Sequence, residues 1–414
     1  MDDNTARIER LMQRDKNSMD FVRWLVAVMV IFSHAYPLTL GAENRQDDPT
    51  VILTNGQFTT GMMGVAMIFV ISGFFVTASL LRSRDWSKFV KARALRIFPG
   101  LLVVVLLSMF VLGPLVTSLP LTEYFTHPDT YNYLKVMFLA KTAYFLPGVF
   151  DTNVFQDAVN GSLWTLFFSF SFYMMLAVMF LLGILRRRAL ILAGALSLMF
   201  IRGSLLFIYP NTGMDISIME QLNAFWTIPS IYYGSQLLMY FLTGVSFFMY
   251  KEYVVLTRRW MLIILATAPL AVFAHLWEIW MVTAGTYIMF YFATSERSPL
   301  QNWAKYGDYS YGVYIFGFPI QQTVTYLAGG TMDPMANFFI SLPIVCAISL
   351  ASWRWVEKPA LRLRKVPIRA TVRRWTGLDR PATPSAPAAP APTQNAQVAY
   401  STVTEAETPG QPPQ

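Results

Sequence analysis

From Phe21 to Tyr36 the chain reads FVRWLVAVMVIFSHAY, an apolar run carrying one arginine near its start and one histidine near its end. Runs of this kind, each near the ~20 residues that cross bilayer hydrocarbon, recur at 21–40, 61–81, 97–119, 161–183, 189–209, 231–249, 260–276, 278–294, 308–328 and 337–356. They predict an all-α, polytopic membrane protein of about ten transmembrane helices. The seventh and eighth runs are short and also read as one hairpin folded at His275–Glu278. A further apolar piece, YLKVMFLAKTAYFLP at 133–147, is interrupted by two lysines and reads as re-entrant or interfacial.

The polar positions between the runs orient them. With ten spans and both ends inside, most of the 32 Lys and Arg residues fall in cytoplasmic segments, notably Arg7 to Lys16, Arg82 to Arg96, Arg186 to Arg188 and Arg354 to Arg380. Only Arg45, Lys135 and Lys141 fall in outer loops, with Arg23 and Arg202 inside spans, the asymmetry expected of cytoplasmic loops. The net charge of +8 is therefore a topology signal and implies no nucleic acid. Composition agrees, since 55% hydrophobic against 14% charged residues is too apolar for a soluble chain.

No small-x-small cleavage pattern follows the first run, so it is expected to stay as helix one. The single cysteine, Cys346, excludes an intrachain disulfide. The expected organisation is a cytoplasmic segment at 1–20, a membrane domain at 21–365, and a cytoplasmic tail at 366–414 that is first basic and then Pro/Ala-rich. That tail cannot bury a core and reads as disordered.

Arg23 and His34 are eleven residues apart, which at 100° per residue places them about 20° from eclipsed and roughly 16 Å apart along a helix axis. Arg23 alone reads equally as a cytoplasmic anchor whose head reaches the interface. His34 lies in the outer half of its span, where an ionisable group defaults to a functional hypothesis.

The Arg23, ten residues, His34 arrangement resembles helix one of the membrane acyltransferase-3 family, and further motifs follow in order. GVAMIFVISGFFV at Gly64–Val76 is similar to the family's second-helix motif ending in Ser-Gly-Phe, and KARALRIFPG at Lys91–Gly100 to its basic segment. NGSLWTL at Asn160–Leu166 resembles the Ser-Leu-Trp-Thr-Leu signature, GDYSYGVYIFGFP at Gly307–Pro319 the Ser-Tyr-x-x-Tyr helix, and WVEKPALRL at Trp355–Leu363 the Val-Glu-Lys-Pro stretch that follows the last span. Together these cover about 20–365. The resemblance implies an O-acyltransferase of the bacterial cytoplasmic (inner) membrane. It implies acyl-coenzyme A as donor substrate, acetyl being the family's commonest group, and a hydroxyl of an extracytoplasmic or lipid-linked glycan, such as an exopolysaccharide, as acceptor. No permanently bound cofactor and no metal are expected, and nothing in the sequence sets an oligomeric state.

Residue chemistry supplies roles beside the resemblance. Ser72-Gly73 is most simply helix packing, because small residues let backbones approach in lipid. Arg93 and Arg96, three apart, face one way at the lip of helix three; they read as a positive flank or, with Arg23, as a clamp for the donor phosphates, which guanidinium forks suit. Trp164, Thr165, Gln321 and Gln322 put polar edges into spans and read as lining a cavity for a sugar hydroxyl. Histidine has the unperturbed pKa nearest working pH, so His34 is assigned as general base or transient acyl carrier. His127 in a loop and His275 at a bend suit surface roles.

Two positions depart from the family pattern. Ser169 stands where the family usually has a glutamate, which removes a proposed partner of the histidine, and Gly317 stands where many relatives have a histidine before Phe-Pro. The competing readings are a transporter with Arg23 and His34 as substrate and proton sites, and an acyltransferase scaffold that has lost activity at Ser169.

Overall fold

Each of the ten apolar runs counted as spans is mainly helical in the computed structural model of the chain, which describes residues 8–13, 16–139, 145–156, 158–208, 228–295 and 298–365. In chain order α1 is Met19–Leu40, α2 Thr60–Ser83, α3 Trp86–Leu107, α4 Trp164–Leu181, α5 Arg188–Ile208 and α6 Ile228–Met249. α7 combines Arg258–Ala266 with Ala268–Phe273, and α8 runs from Trp277–Trp280 through a π-helical turn into Thr286–Ala293. α9 is Ser310–Leu327, and α10 continues from Pro334–Ser352 through a π-helical turn at Trp353–Glu357 into Lys358–Arg362. The described residues contain no strand, only one β-bridge between Thr117 and Val149. The tail from 366 lies outside the described residues.

Among the described residues six stretches are long and apolar enough to cross a bilayer: Met19–Leu40, Thr60–Ser83, Trp86–Val116, Gly161–Leu181, Arg188–Leu206 and Pro334–Lys365. The chain is a multi-pass membrane protein. The seventh and eighth runs take the hairpin alternative: α7 breaks at Thr267 before Pro269, and the chain reverses at His275, whose φ is 55°. The piece at 133–147 is not a spanning helix. It is a 3-10 turn over Tyr133–Phe138 ended by Leu139 at φ 57°, and 140–144 lie outside the described residues.

Two boundaries differ from expectation for physical reasons. The basic segment before residue 97 is not a loop but the first three turns of α3. The Asp85 side chain caps it, accepting from the backbone N–H of Ser87 at 3.0 Å and of Lys88 at 3.1 Å. The Lys88 N–H and ammonium hold the Asp85 carboxyl below its ordinary range. Val-Glu-Lys-Pro does not follow the last helix but sits within it, because the π-helical turn lets α10 continue with Pro359 in the first turn of the next piece.

α1 lies at the centre, packed on α2, α9 and α10; α2 packs on α6, and α3 on α4. The α2–α6 crossing is a contact of backbones. A Cβ on Gly73 would overlap the Phe241 carbonyl, and one on Gly244 would overlap the Val70 carbonyl. Gly73 thus has the packing role read from its sequence, with Gly244 as its counterpart. The starts of α1, α3 and α9 and the ends of α2 and α10 share one end of the bundle, here the basic end, which carries Arg82, Lys88, Arg93, Arg96 and Arg364.

Candidate active site

At the basic end two arginines, Arg23 and Arg96, meet three carboxylates, Asp20, Asp308 and Glu357. Arg23, one turn into α1, pairs with Asp20 at 3.0 Å and reaches Asp308 at 3.8 Å, while its guanidinium lies 4.6 Å from the centre of the Phe75 ring. Arg96 pairs with Asp308 at 2.9 Å and Glu357 at 3.6 Å, and lies over Tyr311 and Trp353. Glu357, 1% exposed, is held by a 3.1 Å hydrogen bond from Ser352, and Asp308 by a 2.8 Å bond from Ser310. Tyr311 closes the corner, donating to the Ile97 carbonyl at 2.8 Å.

Arg93 differs from Arg96. No carboxylate among the described residues pairs with it, and its Nε is buried without a hydrogen-bond partner. Its guanidinium lies 5.8 Å from the Phe89 ring and 6.0 Å from the Tyr173 ring of α4, within electrostatic reach of Arg23, Arg96 and Arg364. The expected common facing of Arg93 and Arg96 therefore divides: Arg96 turns to α9 and α10, Arg93 to α4.

His34 sits on the same helix as Arg23, toward the far end. Its ring meets Phe318 of α9 edge to face at 5.2 Å, and its Nδ1 is buried with no hydrogen-bond partner. The preceding residue is tied down: Ser33 donates to Asp48 at 2.6 Å, and the buried Asp48 carboxylate also accepts from Thr50 N, Thr60 N and Thr60 Oγ1. That knot fastens the outer turn of α1 to the start of α2.

Phe318 is also the link to the Ser-Leu-Trp-Thr-Leu motif. A Cβ on Gly161 would lie 2.8 Å from the Phe318 ring, so the turn before α4 packs flat on it. Asn160 anchors this turn, donating to the Ile315 carbonyl at 2.8 Å and accepting from Ser162 N at 3.2 Å. Thr165 and Tyr314 share a buried 2.7 Å hydrogen bond between α4 and α9. Trp164 packs its ring on Phe168 and Tyr233. Ser169 and Tyr173 follow Thr165 at four-residue steps, so one face of α4 runs from Tyr314 to Arg93. Ser169 does not hold His34 through Nδ1, which has no partner.

Gln321 and Gln322 are fully buried, and their amides tie segments together. Gln321 donates to the Ile31 carbonyl at 2.9 Å and to Asn337 at 3.0 Å, joining α9, α1 and α10; only its Oε1 is without a partner. Gln322 donates to the carbonyls of Phe155 and Ala158, both at 2.9 Å, and accepts from Asn153 at 2.8 Å.

Sequence reasoning left Asp20, Asp308 and Glu357 without roles although the last two lie inside the quoted motifs. The signal was available: an acid at the start of an apolar run faces the basic end, where cations concentrate. It also passed over the pairing of Arg202 with Glu278, opposite charges in two apolar runs.

The fold and this arrangement define a helical membrane protein with a polar line running beside one central helix, guanidinium groups at one end and an imidazole toward the other. Residues 16–354 match the acyltransferase domain model of the acyltransferase-3 family, and the chain belongs to that family. Among curated proteins it is similar to the O-acetyl transferase of Shigella phage Sf6, 27% identical over 352 residues, covering 83% of this chain and 95% of that protein. It is also similar to nodulation protein 10 of Rhizobium leguminosarum bv. viciae, 28% identical over 376 residues, covering 84% and 94%. No solved structure matches it significantly. Membership implies an acyl donor and an acceptor.

Proposed function

We propose that the protein is an O-acyltransferase moving an acetyl group from acetyl-coenzyme A, at the cytoplasmic basic end, to a hydroxyl of a surface glycan presented at the far side of the inner membrane. The observation that carries this reading is the axial pairing on α1: Arg23 joins a guanidinium cluster at one end, and His34 keeps a free ring nitrogen about 16 Å further along. The similarity to a phage O-acetyl transferase supports acetyl over longer groups.

In this reading Arg93, with Arg23 and Arg96 around it, holds the donor phosphates by charge-assisted hydrogen bonds, and the thioester arm follows the α4–α9 seam outward. His34 takes the proton of the acceptor hydroxyl as its oxygen attacks the thioester carbonyl. The new C–O bond forms, the C–S bond breaks, and the coenzyme thiolate leaves with the proton returned from the imidazolium. Trp164 and Thr165 line the acceptor side, with Ser169 midway. Gln321 and Gln322 act on the same side by fixing the segments around His34.

The test is transfer by the purified full chain in nanodiscs, given radiolabelled acetyl-coenzyme A and surface polysaccharide stripped of O-acyl groups by mild base. Label is expected in the polysaccharide. Absence of label with every acyl donor tried, or transport of unmodified glycan in its place, overturns the reading.

A further inference from the structure

A second buried polar group lies outside this machinery. Arg202 of α5 and Glu278 of α8 are 3% and 4% exposed and meet as a two-pronged pair, Nε to Oε1 at 2.6 Å and Nη2 to Oε2 at 2.8 Å. Tyr240 of α6 donates to the same carboxylate at 3.2 Å. Charges inside a membrane are costly and persist where they are paired and used. The pair acts on its neighbour: the Arg202 guanidinium lies 4.5 Å from the centre of the Tyr232 ring and fixes the first of two consecutive tyrosines of α6.

The second, Tyr233, meets Trp164. Their ring centres are 5.5 Å apart with planes at 62°, so the two rings meet edge to face and form a corner of aromatic surface. α6 comes this close because residue 234 is glycine, where a Cβ would lie 2.9 Å from the Phe168 ring. Trp164 and Tyr233 are both half-buried, and among the described residues neither the indole N–H nor the phenol has a hydrogen-bond partner. Tyr240 and Tyr314, deeper in the bundle, both do. The corner is contiguous with the imidazole through Phe318, which touches His34 on one side and the Gly161 turn, three residues before Trp164, on the other.

We infer that Trp164 and Tyr233 form the binding corner for a pyranose ring of the acceptor, and that Arg202 and Glu278 are positioning residues which set Tyr233 through Tyr232. A pyranose has an apolar C–H face, which packs on an aromatic ring, and a hydroxyl rim, which hydrogen-bonds to indole N–H and phenol groups. A lipid acyl chain satisfies the first feature and not the second. This inference rests on the acyltransferase reading for its direction and deepens it by naming where the sugar sits.

Two measurements separate the inference from that reading. The first is binding without donor: the deacylated surface oligosaccharide is titrated onto the full chain and followed by saturation-transfer NMR. Tyr233→Ala is expected to weaken binding about tenfold, the loss of one packed aromatic contact, and Tyr233→Phe to recover it to within about threefold. The second is transfer kinetics, in which Tyr233→Ala and Glu278→Gln raise the acceptor KM by a similar factor and leave the donor KM unmoved. Tyr233→Leu replaces the Ala variant if that fails to fold. Oligosaccharide binding that is unchanged in Tyr233→Ala or Tyr233→Leu overturns the inference even where transfer works. Tyr233-dependent binding in a chain that transfers nothing upholds the corner and overturns the acyltransferase reading instead.

Discussion

Asp308 receives Arg96 twice: its carboxylate lies 2.9 Å from Nη2, and its main-chain carbonyl is 3.3 Å from both Nη1 and Nη2. With Glu357 at 3.6 Å on the other side, Arg96 is the pin between α3, α9 and α10. Arg93, one helical turn earlier, has no such acid. The two arginines of one motif therefore divide into a member held by carboxylates and a member that is not, the one proposed above to meet the donor phosphates.

Replacing them should separate binding from stability. Arg93→Gln is expected to raise the donor KM roughly tenfold to a hundredfold, since a charge-assisted hydrogen bond contributes about 1.5–3 kcal/mol, with the melting temperature in detergent unchanged. Arg96→Gln leaves two carboxylates facing each other and is expected to lower stability by about 3 kcal/mol. Thermal unfolding and donor titration of both variants check this; equal KM effects with equal stability refute the division.

His34→Gln is expected to insert and fold as wild type, because its ring makes one edge contact and its Nδ1 makes no bond, while transfer falls about 10²–10⁴-fold. Size-exclusion profile and labelled-acetyl transfer measure the two effects. A variant with normal transfer removes His34 from the mechanism.

The α2–α6 crossing predicts a different kind of loss. Gly244→Val pushes side-chain atoms into the Val70 carbonyl and is expected to destabilise the bundle by about 3 kcal/mol or to prevent its assembly. Gly203→Ala, whose Cβ would meet no atom nearer than 3.8 Å, is the matched control and should be neutral. Yield of monodisperse protein distinguishes them.

What was legible in the sequence follows from which physics is local. Hydropathy located the helices because each must be apolar along its own length, and Arg23 and His34 could be placed on one face by counting. The partners of Arg96 could not, since Asp308 and Glu357 lie more than 200 residues away and no periodicity links them. Asp85 as a cap and the π-helical turn at Trp353–Glu357 moved two helix ends, because capping and backbone hydrogen bonding act where hydropathy is silent. Gln321 and Gln322 were read as polar edges on an interior. They are interior, but their amides close on the backbone of other segments, a fact that only the packed structure carries.

Ser169, one of the two positions expected to depart from the family pattern, gives the last prediction. Ser169 lies on the α4 face between Thr165, bonded to Tyr314, and Tyr173, which faces Arg93. A side chain there borders the path proposed above between the donor phosphates and His34 but does not bond the imidazole Nδ1. Ser169→Ala is therefore expected to cost less than about fivefold in turnover, the loss of one neutral hydrogen-bonding group of roughly 1 kcal/mol. Ser169→Glu places a carboxylate one turn from Tyr173 and close to the ring-lined Arg93, where it competes with the donor phosphates for that guanidinium, so the donor KM is expected to rise. The degenerate-scaffold alternative makes the opposite forecast, with wild type inactive and the Glu variant active. Transfer assays on the three chains side by side, with donor concentration varied, decide between a working enzyme that no longer needs the acid and a scaffold that has lost it.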